Sequence, residues 1–482
     1  MLLSQPGSQT TLRIIAAALA YFSLNALLLG SVTPTAEWDH AEQLILSQFP
    51  ALGYNGQPPL YTWLVQGLFA VTGPSLSALL ALKAALLTLL VAGVALAARE
   101  LGLTPAQQWV AALGLALMPQ LVWEDQRNFT HTVLAVAVAA WTLVVFLRLR
   151  WRADWWGYVA LGALFGVGAL GKYNYGMFVV ALLVAALSLP DWRRRLLSLR
   201  FGVSVVVATS LLAPHALWVL GNRAAAGEGF RKLQMQTGVG WETLLDLGAG
   251  LAASLLPLLL LSLLVRRRVG SAGGEVVPGC RLLRRTLLVA LLVAVALIIA
   301  SGARDIKEHW LQPLVFYVTL LVACWADPDG RGLRVFVGIA AAALLGVSIA
   351  LPGQALWADP ARPSRLNAPY ADIAARIRQQ IPPPALVLAD KDPLAGNLRL
   401  AFPTAVVMSE RSFFPARLPE GAWLVIGEGL ADARSTFRGW LRERLGVGEL
   451  AVTTTEAPLY HRPDGRLRLQ WAVLPAGADV VR

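Results

Sequence analysis

The sequence predicts a polytopic α-helical membrane protein with a small water-soluble α/β domain at its C-terminus. Three observations predict it. Of the 482 residues, 56% are hydrophobic and only 15% are charged, whereas a soluble domain carries roughly a quarter charged residues. Apolar stretches recur along the first three quarters of the chain at lengths that suit a bilayer. The arginines between them gather in alternate loops. The net charge is +12, and this alternation makes it a positive-inside signature, not a sign of nucleic acid as a partner.

A helix needs roughly 20 apolar residues to cross the hydrocarbon core while satisfying its own backbone. By that measure about eleven spans are expected: Leu12 to Val32, Ser75 to Ala98, Gln108 to Val122, His131 to Leu147, Trp155 to Leu170, Tyr175 to Leu189, Phe201 to Leu220, Leu245 to Val265, Thr286 to Ile299, Trp310 to Trp325 and Leu333 to Leu351. The first stretch lacks a convincing small-residue cleavage site and reads as a retained helix, not a signal peptide.

Arg99, the Arg148 to Arg152 group, Arg193 to Arg200, Arg266 to Arg285 and the Arg331 and Arg334 pair fall in one set of alternate loops. Those loops are expected to be cytoplasmic, as is the N-terminus. An odd number of spans then puts everything after Leu351 outside, on the non-cytoplasmic face. Residues 1–351 read as the membrane domain and 352–482 as the outer one. Cys280 and Cys324 are the two cysteines. Both fall near the cytoplasmic side, so no disulfide framework is expected.

The long first outer loop, Thr33 to Pro74, is neither a polar loop nor a span. Asp39 to Gln48 and Pro59 to Val71 carry apolar residues at helical spacing, which predicts interfacial helices lying in the membrane plane. Beyond Pro352, helices at Ala371 to Gln380 and Ala431 to Leu445 and strands at Ala385 to Ala389 and Ala422 to Ile426 predict a small α/β domain.

The ionisable residues of the other face could carry chemistry. Asp39, in Glu37-Trp38-Asp39-His40-Ala41-Glu42, is a carboxylate at the membrane surface able to take a proton, or simply a helix cap. The loop Trp123 to His131 holds Glu124, Asp125, Arg127 and His131 and could bind an anionic head group, or be a solvated turn. Lys83 lies inside an apolar helix, where a lysine costs about 2.5 to 3.5 kcal/mol at the centre. It either pairs with an anion or snorkels. Lys172 with Tyr173 and Asn174, and the run from Arg304 through Asp305, Lys307, Glu308 and His309 to Trp310, set cations beside aromatic rings. A lipid phosphate would sit there, and so would plain interfacial anchors. Arg231 and Lys232 are two further outer basic residues.

Taken together these residues resemble the bacterial GT-C glycosyltransferases of family 39 type, related to the protein O-mannosyltransferases and the lipid A aminoarabinose transferase. The resemblance rests on Asp39 in the first outer loop, then Gly53-Tyr54-Asn55-Gly56-Gln57-Pro58-Pro59-Leu60-Tyr61-Thr62-Trp63. Lys83 opening the second span and Lys307-Glu308-His309-Trp310-Leu311-Gln312-Pro313 add to it. It covers roughly Leu12 to Leu351. His40 stands where many relatives carry a second acid, and Gln57 where some carry lysine.

The resemblance implies transfer of a sugar, with inversion, from a polyprenyl-phosphate donor to a lipid, glycan or protein acceptor on the non-cytoplasmic face. Asp39 matches the family's base, with Glu124 and Asp125 as the other candidate acids. Lys83, Arg127, Lys172, Lys307 and His309 are candidates for the donor phosphate. His40, Gln57, Tyr61, His131 and Tyr173 are candidates for the pocket. No nucleotide loop is present. No cofactor is demanded, although a divalent cation could be held by Asp39, Glu124 and Asp125. A secondary transporter or lipid flippase is the alternative, as is a non-catalytic scaffold. A transporter would place its ionisable groups near the midplane on broken helices related by repeats.

Overall fold

The computed structural model describes residues 8–227, 229, 241–266, 277–304, 307–327, 331–357, 364–410, 418–432 and 434–474. Arg231, Lys232 and Asp305 lie outside the described residues. Two compact units emerge: Met1–Leu24, Leu52–Tyr61 and Lys83–Ser348 form one, and Asn25–Ala51, Thr62–Leu82 and Ile349–Arg482 the other.

The helices are α1 (Ser8–Val32), α2 (Trp38–Leu46), α3 (Leu60–Thr72), α4 (Leu76–Glu100), α5 (Pro105–Gly114), α6 (Asp125–Arg127), α7 (His131–Arg148), α8 (Trp155–Gly171), α9 (Tyr175–Leu187), α10 (Pro190–Leu196), α11 (Leu199–Gly221), α12 (Arg223–Ala226), α13 (Trp241–Val265), α14 (Pro278–Ser301), α15 (Gln312–Val315), α16 (Val318–Trp325), α17 (Arg331–Leu356), α18 (Tyr370–Arg378), α19 (Asp392–Ala401) and α20 (Thr436–Leu445). Seven of these, α1, α4, α7, α11, α13, α14 and α17, are by themselves long and apolar enough to cross a membrane among the described residues. The pair α9 and α10 passes the same test only when taken together and is bent by 116° at its break, as in a broken span or a re-entrant loop, while α8 and the run Gln312–Trp325 are apolar but shorter.

Each of the eleven apolar stretches is largely helical, but the tenth is interrupted at Phe316 and Tyr317, between α15 and α16, and the third is broken more sharply. Thr104 and Gln107 close a capping box and Pro105 starts α5. The helix then tightens to a 3₁₀ turn at Leu115–Leu117, and Met118 leaves helical geometry just ahead of Pro119. A residue before proline is pushed toward extended conformations, and proline has no N–H to continue the ladder. The chain resumes as a π turn over Gln120–Glu124 and runs directly into α6. That break brings two of the candidate acids, Glu124 and Asp125, to one junction.

Small residues set a close helix pairing in this unit. A Cβ on Gly162 would lie 2.5 Å from the Ser204 carbonyl oxygen, and one on Gly166 would lie 2.9 Å from Leu211 Cβ. This small-xxx-small face is what lets α8 and α11 approach in an apolar medium, where burial gives no separate driving force. Cys280 and Cys324 form a disulfide, contrary to the sequence expectation. The expectation weighed redox compartment and could not see that the start of α14 and the end of α16 come together with their Cα atoms 6.4 Å apart.

The second unit is built on a five-stranded sheet of β1 (Leu386–Ala389), β2 (Val406–Ser409), β3 (Trp423–Gly427), β4 (Thr453–Leu459) and β5 (Arg462–Leu474) in the order β2-β1-β3-β5-β4. The first three strands are parallel and wholly or largely buried, as expected of strands covered on both faces. β5 pairs antiparallel with β3 and β4. The apolar stripe of α2 does not face lipid: it packs on α19, where a Cβ on Gly396 would stand 2.3 Å from the Ala41 carbonyl oxygen. Ile45 joins Leu394, Leu398 and Val407 in one core. Asn397 clamps the entry to α2 by accepting from the Ala36 N–H at 2.8 Å and donating to the Ala36 carbonyl at 3.1 Å. Gln48 bonds both backbone groups of Val407, at 2.9 and 2.7 Å, and so covers the free edge of β2.

Candidate active site

In the membrane unit the structure gathers three ionisable side chains out of water. Lys83 in α4 is 3% exposed, Asp125 at the start of α6 is 0% exposed, and Lys172, just past α8, is 6% exposed. The charges of both lysines act on Asp125. Lys172 Nζ donates to Thr132 Oγ1 at the head of α7. Asp125 Oδ1 accepts from Gln312 Nε2 at 3.0 Å.

Burial drives the Asp125 carboxyl up to about 7; the Gln312 hydrogen bond and then the two ammonium groups pull against that rise, and Glu124 adds to it. Lysines held this deep are costly unless an anion compensates. A cationic pair with an acid able to change charge near neutrality suits an anionic ligand whose charge moves during reaction.

Around this group lie other residues singled out in the sequence. The His131 ring sits 5.5 Å from that of Tyr61, which is fully buried, and His131 Nδ1 is 3.2 Å from the Gly171 carbonyl. Tyr173 Oη is 3.0 Å from His215 Nε2, and His215 Nδ1 is 2.7 Å from the Leu52 carbonyl oxygen. That chain of contacts ties the loop ahead of Gln57 to α11. Trp218 lies flat against Gly53, where a Cβ would meet its ring at 2.2 Å. Gln57 is half-buried, its N–H donating to Asn55 Oδ1 at 3.0 Å.

Other candidates stand apart from the buried group. Arg127 pairs with Glu124 at 2.9 Å, both about one third exposed, so each neutralises the other. Lys307 is exposed. His309 packs against Phe129 with ring centroids 4.3 Å apart and planes tilted by 34°. Glu308 accepts from Gln120 Nε2, and Asn174 Nδ2 donates to the Trp310 carbonyl at 2.7 Å, which fastens this loop beside the broken span.

In the second unit, Asp39 lies half-buried in the first turn of α2, and His40 is buried. Asp39 is not the cap: Glu37 holds that position and accepts from the Trp38 N–H. The capping alternative is therefore excluded. Trp38 carries the Arg365 guanidinium over its ring at 4.7 Å. Also in this unit is a hollow of about 540 Å³ at the carboxyl ends of β1, β2 and β3, lined by Asp390, Asp392, Glu410, Glu428 and Asp432 around the Lys391 ammonium. No residue predicted from the sequence lines it. Among the described residues no three His, Cys, Asp or Glu side chains are placed to share a metal ion.

Residues 56–218 match the family described as dolichyl-phosphate-mannose-protein mannosyltransferase. The lipopolysaccharide core galacturonosyltransferase RgtB of Rhizobium johnstonii is 31% identical over 95% of this chain and 97% of its own length. RgtA of the same organism is 31% identical over 81% of this chain and 80% of its own. The chain belongs to the GT-C glycosyltransferases. It is a multi-pass membrane glycosyltransferase, and the transporter reading is set aside. Its fold is similar to that of ArnT from Cupriavidus metallidurans. The apo structure aligns with a TM-score of 0.60 at 16% identity over 96% of this chain and 97% of that one. The structure bound to undecaprenyl phosphate aligns at 0.59 and 17% identity, over 95% and 97%.

Sequence reasoning singled out Lys83, Asp125 and Lys172 but missed the groups that hold two of them. Gln312 lay inside the quoted Lys307 to Pro313 stretch and Thr132 beside His131. A neutral polar side chain gives no hint of its partner until the helices are packed.

Proposed function

We propose that this glycosyltransferase moves an acidic sugar, galacturonic acid, from a polyprenyl-phosphate donor to a lipopolysaccharide core acceptor on the periplasmic face of a bacterial inner membrane. The observation that carries the reading is the buried Lys83, Asp125 and Lys172 group. A donor of this kind brings an apolar tail that belongs in lipid and a phosphate that needs cations in a dry setting, where each charge interaction is stronger than in water. The sugar and the acceptor are taken from the relatives named above, and the lipid phosphate from the ligand of the ArnT structure.

Residue by residue, Lys83 and Lys172 stabilise the departing phosphate, with the rim groups Arg127, Lys307 and His309 receiving the lipid head. Asp39 takes the proton from the acceptor hydroxyl, which then attacks the anomeric carbon as the phosphate leaves with the bonding pair, inverting that centre. The N-terminus is read as cytoplasmic. Residues 1–351 are read as the transferase domain and 352–482 as an extracytoplasmic domain.

Membranes containing the protein, incubated with a panel of radiolabelled polyprenyl-phosphate sugars and core lipopolysaccharide, test the reading. Label from the galacturonate donor is expected in the core. Label moving only from another sugar would overturn the acidic-sugar reading, and label moving from none would overturn the donor class.

A further inference from the structure

Among the buried acceptor atoms of the membrane unit that lack a hydrogen-bond donor among the described residues, two belong to side chains already joined to each other. Gln312 Nε2 donates to Asp125 Oδ1, while Asp125 Oδ2 and Gln312 Oε1 receive nothing. Both side chains are sealed from solvent, at 0% and 1% exposure. Buried polar groups in folded proteins nearly always find partners, so two orphaned acceptors on one bonded pair need an explanation. Each residue also sits where the backbone is irregular: Asp125 follows the π turn, and Gln312 opens the short helix α15 with Pro313 next. Such breaks persist at functional sites more than elsewhere.

The pair has a defined demand. With Asp125 ionised, its free oxygen and the amide oxygen both accept and neither donates, so their complement is a group presenting two O–H donors side by side. The ammonium groups of Lys83 and Lys172 act on the charge of Asp125 from α4 and from just past α8, and Lys172 gives one of its three donors to Thr132. The amide is the side chain this job needs. Its NH₂ turns the carboxylate and its oxygen takes a second donor, whereas glutamate would bring a like charge and a hydrocarbon would do neither.

We propose that Asp125 and Gln312 form a two-acceptor clamp for neighbouring hydroxyls of the transferred sugar, with Gln312 also the positioning residue that orients Asp125. The inference rests on the transferase reading above and deepens it by naming what reads the sugar ring. A site built to bond a hydroxyl rejects the analogue lacking it far more strongly than an apolar site would, because the buried acceptors are left unpaired.

The test uses the full-length enzyme, the best-used donor of the radiolabelled panel and that donor's monodeoxy analogues, with kcat and KM measured separately. Wild type is expected to lose at least about tenfold in kcat/KM on one analogue. Asp125→Asn and Gln312→Met are expected to weaken the parent donor mainly in KM and no longer to distinguish it from that analogue. Gln312→Asn, which keeps the amide on a shorter stem, is expected to recover part of the discrimination. The parent-to-analogue ratio does not depend on how much of a variant folds, so a poorly folding variant still reports.

Full discrimination kept by Gln312→Met would overturn the clamp. So would a wild type indifferent to every ring hydroxyl, which would leave only an ordered water on the two acceptors. Variants that lower kcat alone with KM unchanged would overturn it in favour of a proton-transfer role. If wild type turns over no donor in the panel, the transferase reading itself fails, and the clamp with it.

Discussion

Gly396 in α19 faces Ala41 in α2 so closely that a Cβ on the glycine would stand 2.3 Å from the Ala41 carbonyl oxygen and 2.4 Å from its Cα. The obstacle is backbone, so no side chain can give way. Gly396→Ala is expected to push α2 off α19 and to destabilise this unit by about 1–3 kcal/mol, as overpacking does. Because α2 carries Asp39 and His40, transfer activity is expected to fall as well. Gly439→Ala in α20 is the control, since nothing lies within 4 Å of that position. It is expected to be neutral or stabilising by up to about 1 kcal/mol. Thermal melting of the two variants in detergent, beside an activity assay, checks the pair.

Asp39 stands inside α2 with Glu37 at the cap, so substituting it does not remove the cap. Asp39→Asn keeps the shape and removes the charge and the basicity. It is expected to retain expression and donor binding while losing about 10² to 10⁴ in rate, the usual worth of a general base. Glu42→Gln, further along the helix, is expected to be mild. Near-normal turnover by purified Asp39→Asn would move the search for the base to Glu124 or Asp125.

Much of this architecture is legible in the sequence because bilayer thickness fixes the length of an apolar helix. Nine of the apolar stretches and the positions of β1 and β3 needed little more than that and local pattern. Three features were not legible. The break after Gly114 depends on Met118 and Pro119 within a stretch whose hydropathy alone looks continuous. The apolar face of α2 reads equally well as a membrane-surface helix, and only Gly396, far along the chain, decides that it meets protein. At the site, Lys83 announced itself because a charge in an apolar run is costly, and Asp125 because it stands among Glu124, Arg127 and His131 in one short loop. Gln312 and Thr132 carry no such signal, and their roles exist only through distant partners.

The Cys280–Cys324 bond ties α14 to α16 across 44 residues of chain. A cross-link over that separation restricts the unfolded chain and is worth about 2–4 kcal/mol. Denatured, unreduced protein is expected to take up no maleimide label, and reduced protein two. Cys280→Ser is expected to lower the melting temperature of the oxidised protein to that of the reduced wild type. Two labels without reductant would show the thiols free, as in a reducing compartment.

Asp125 gives the membrane unit a pH dependence whose sign can be worked out. Its carboxyl is raised from 3.8 to about 7, first because burial opposes the charged form. Between those two values the folded protein holds a proton there that the unfolded chain has released. Stability is therefore greatest below about pH 4 for this group and falls as pH rises, by up to about 1.4 kcal/mol per unit, levelling off once the folded group has ionised near 7. Asp125→Asn cannot titrate, so the difference in melting temperature between variant and wild type isolates this one residue from the other carboxylates. The variant is expected to match or fall below wild type near pH 4 and to gain on it steadily up to pH 7. Gln312→Met removes the hydrogen bond that favours the charged form, so its wild-type difference is expected to extend to higher pH. A difference that stays flat from pH 4 to 8 would show that Asp125 keeps an ordinary carboxylate pKa, with Lys83 and Lys172 outweighing its burial.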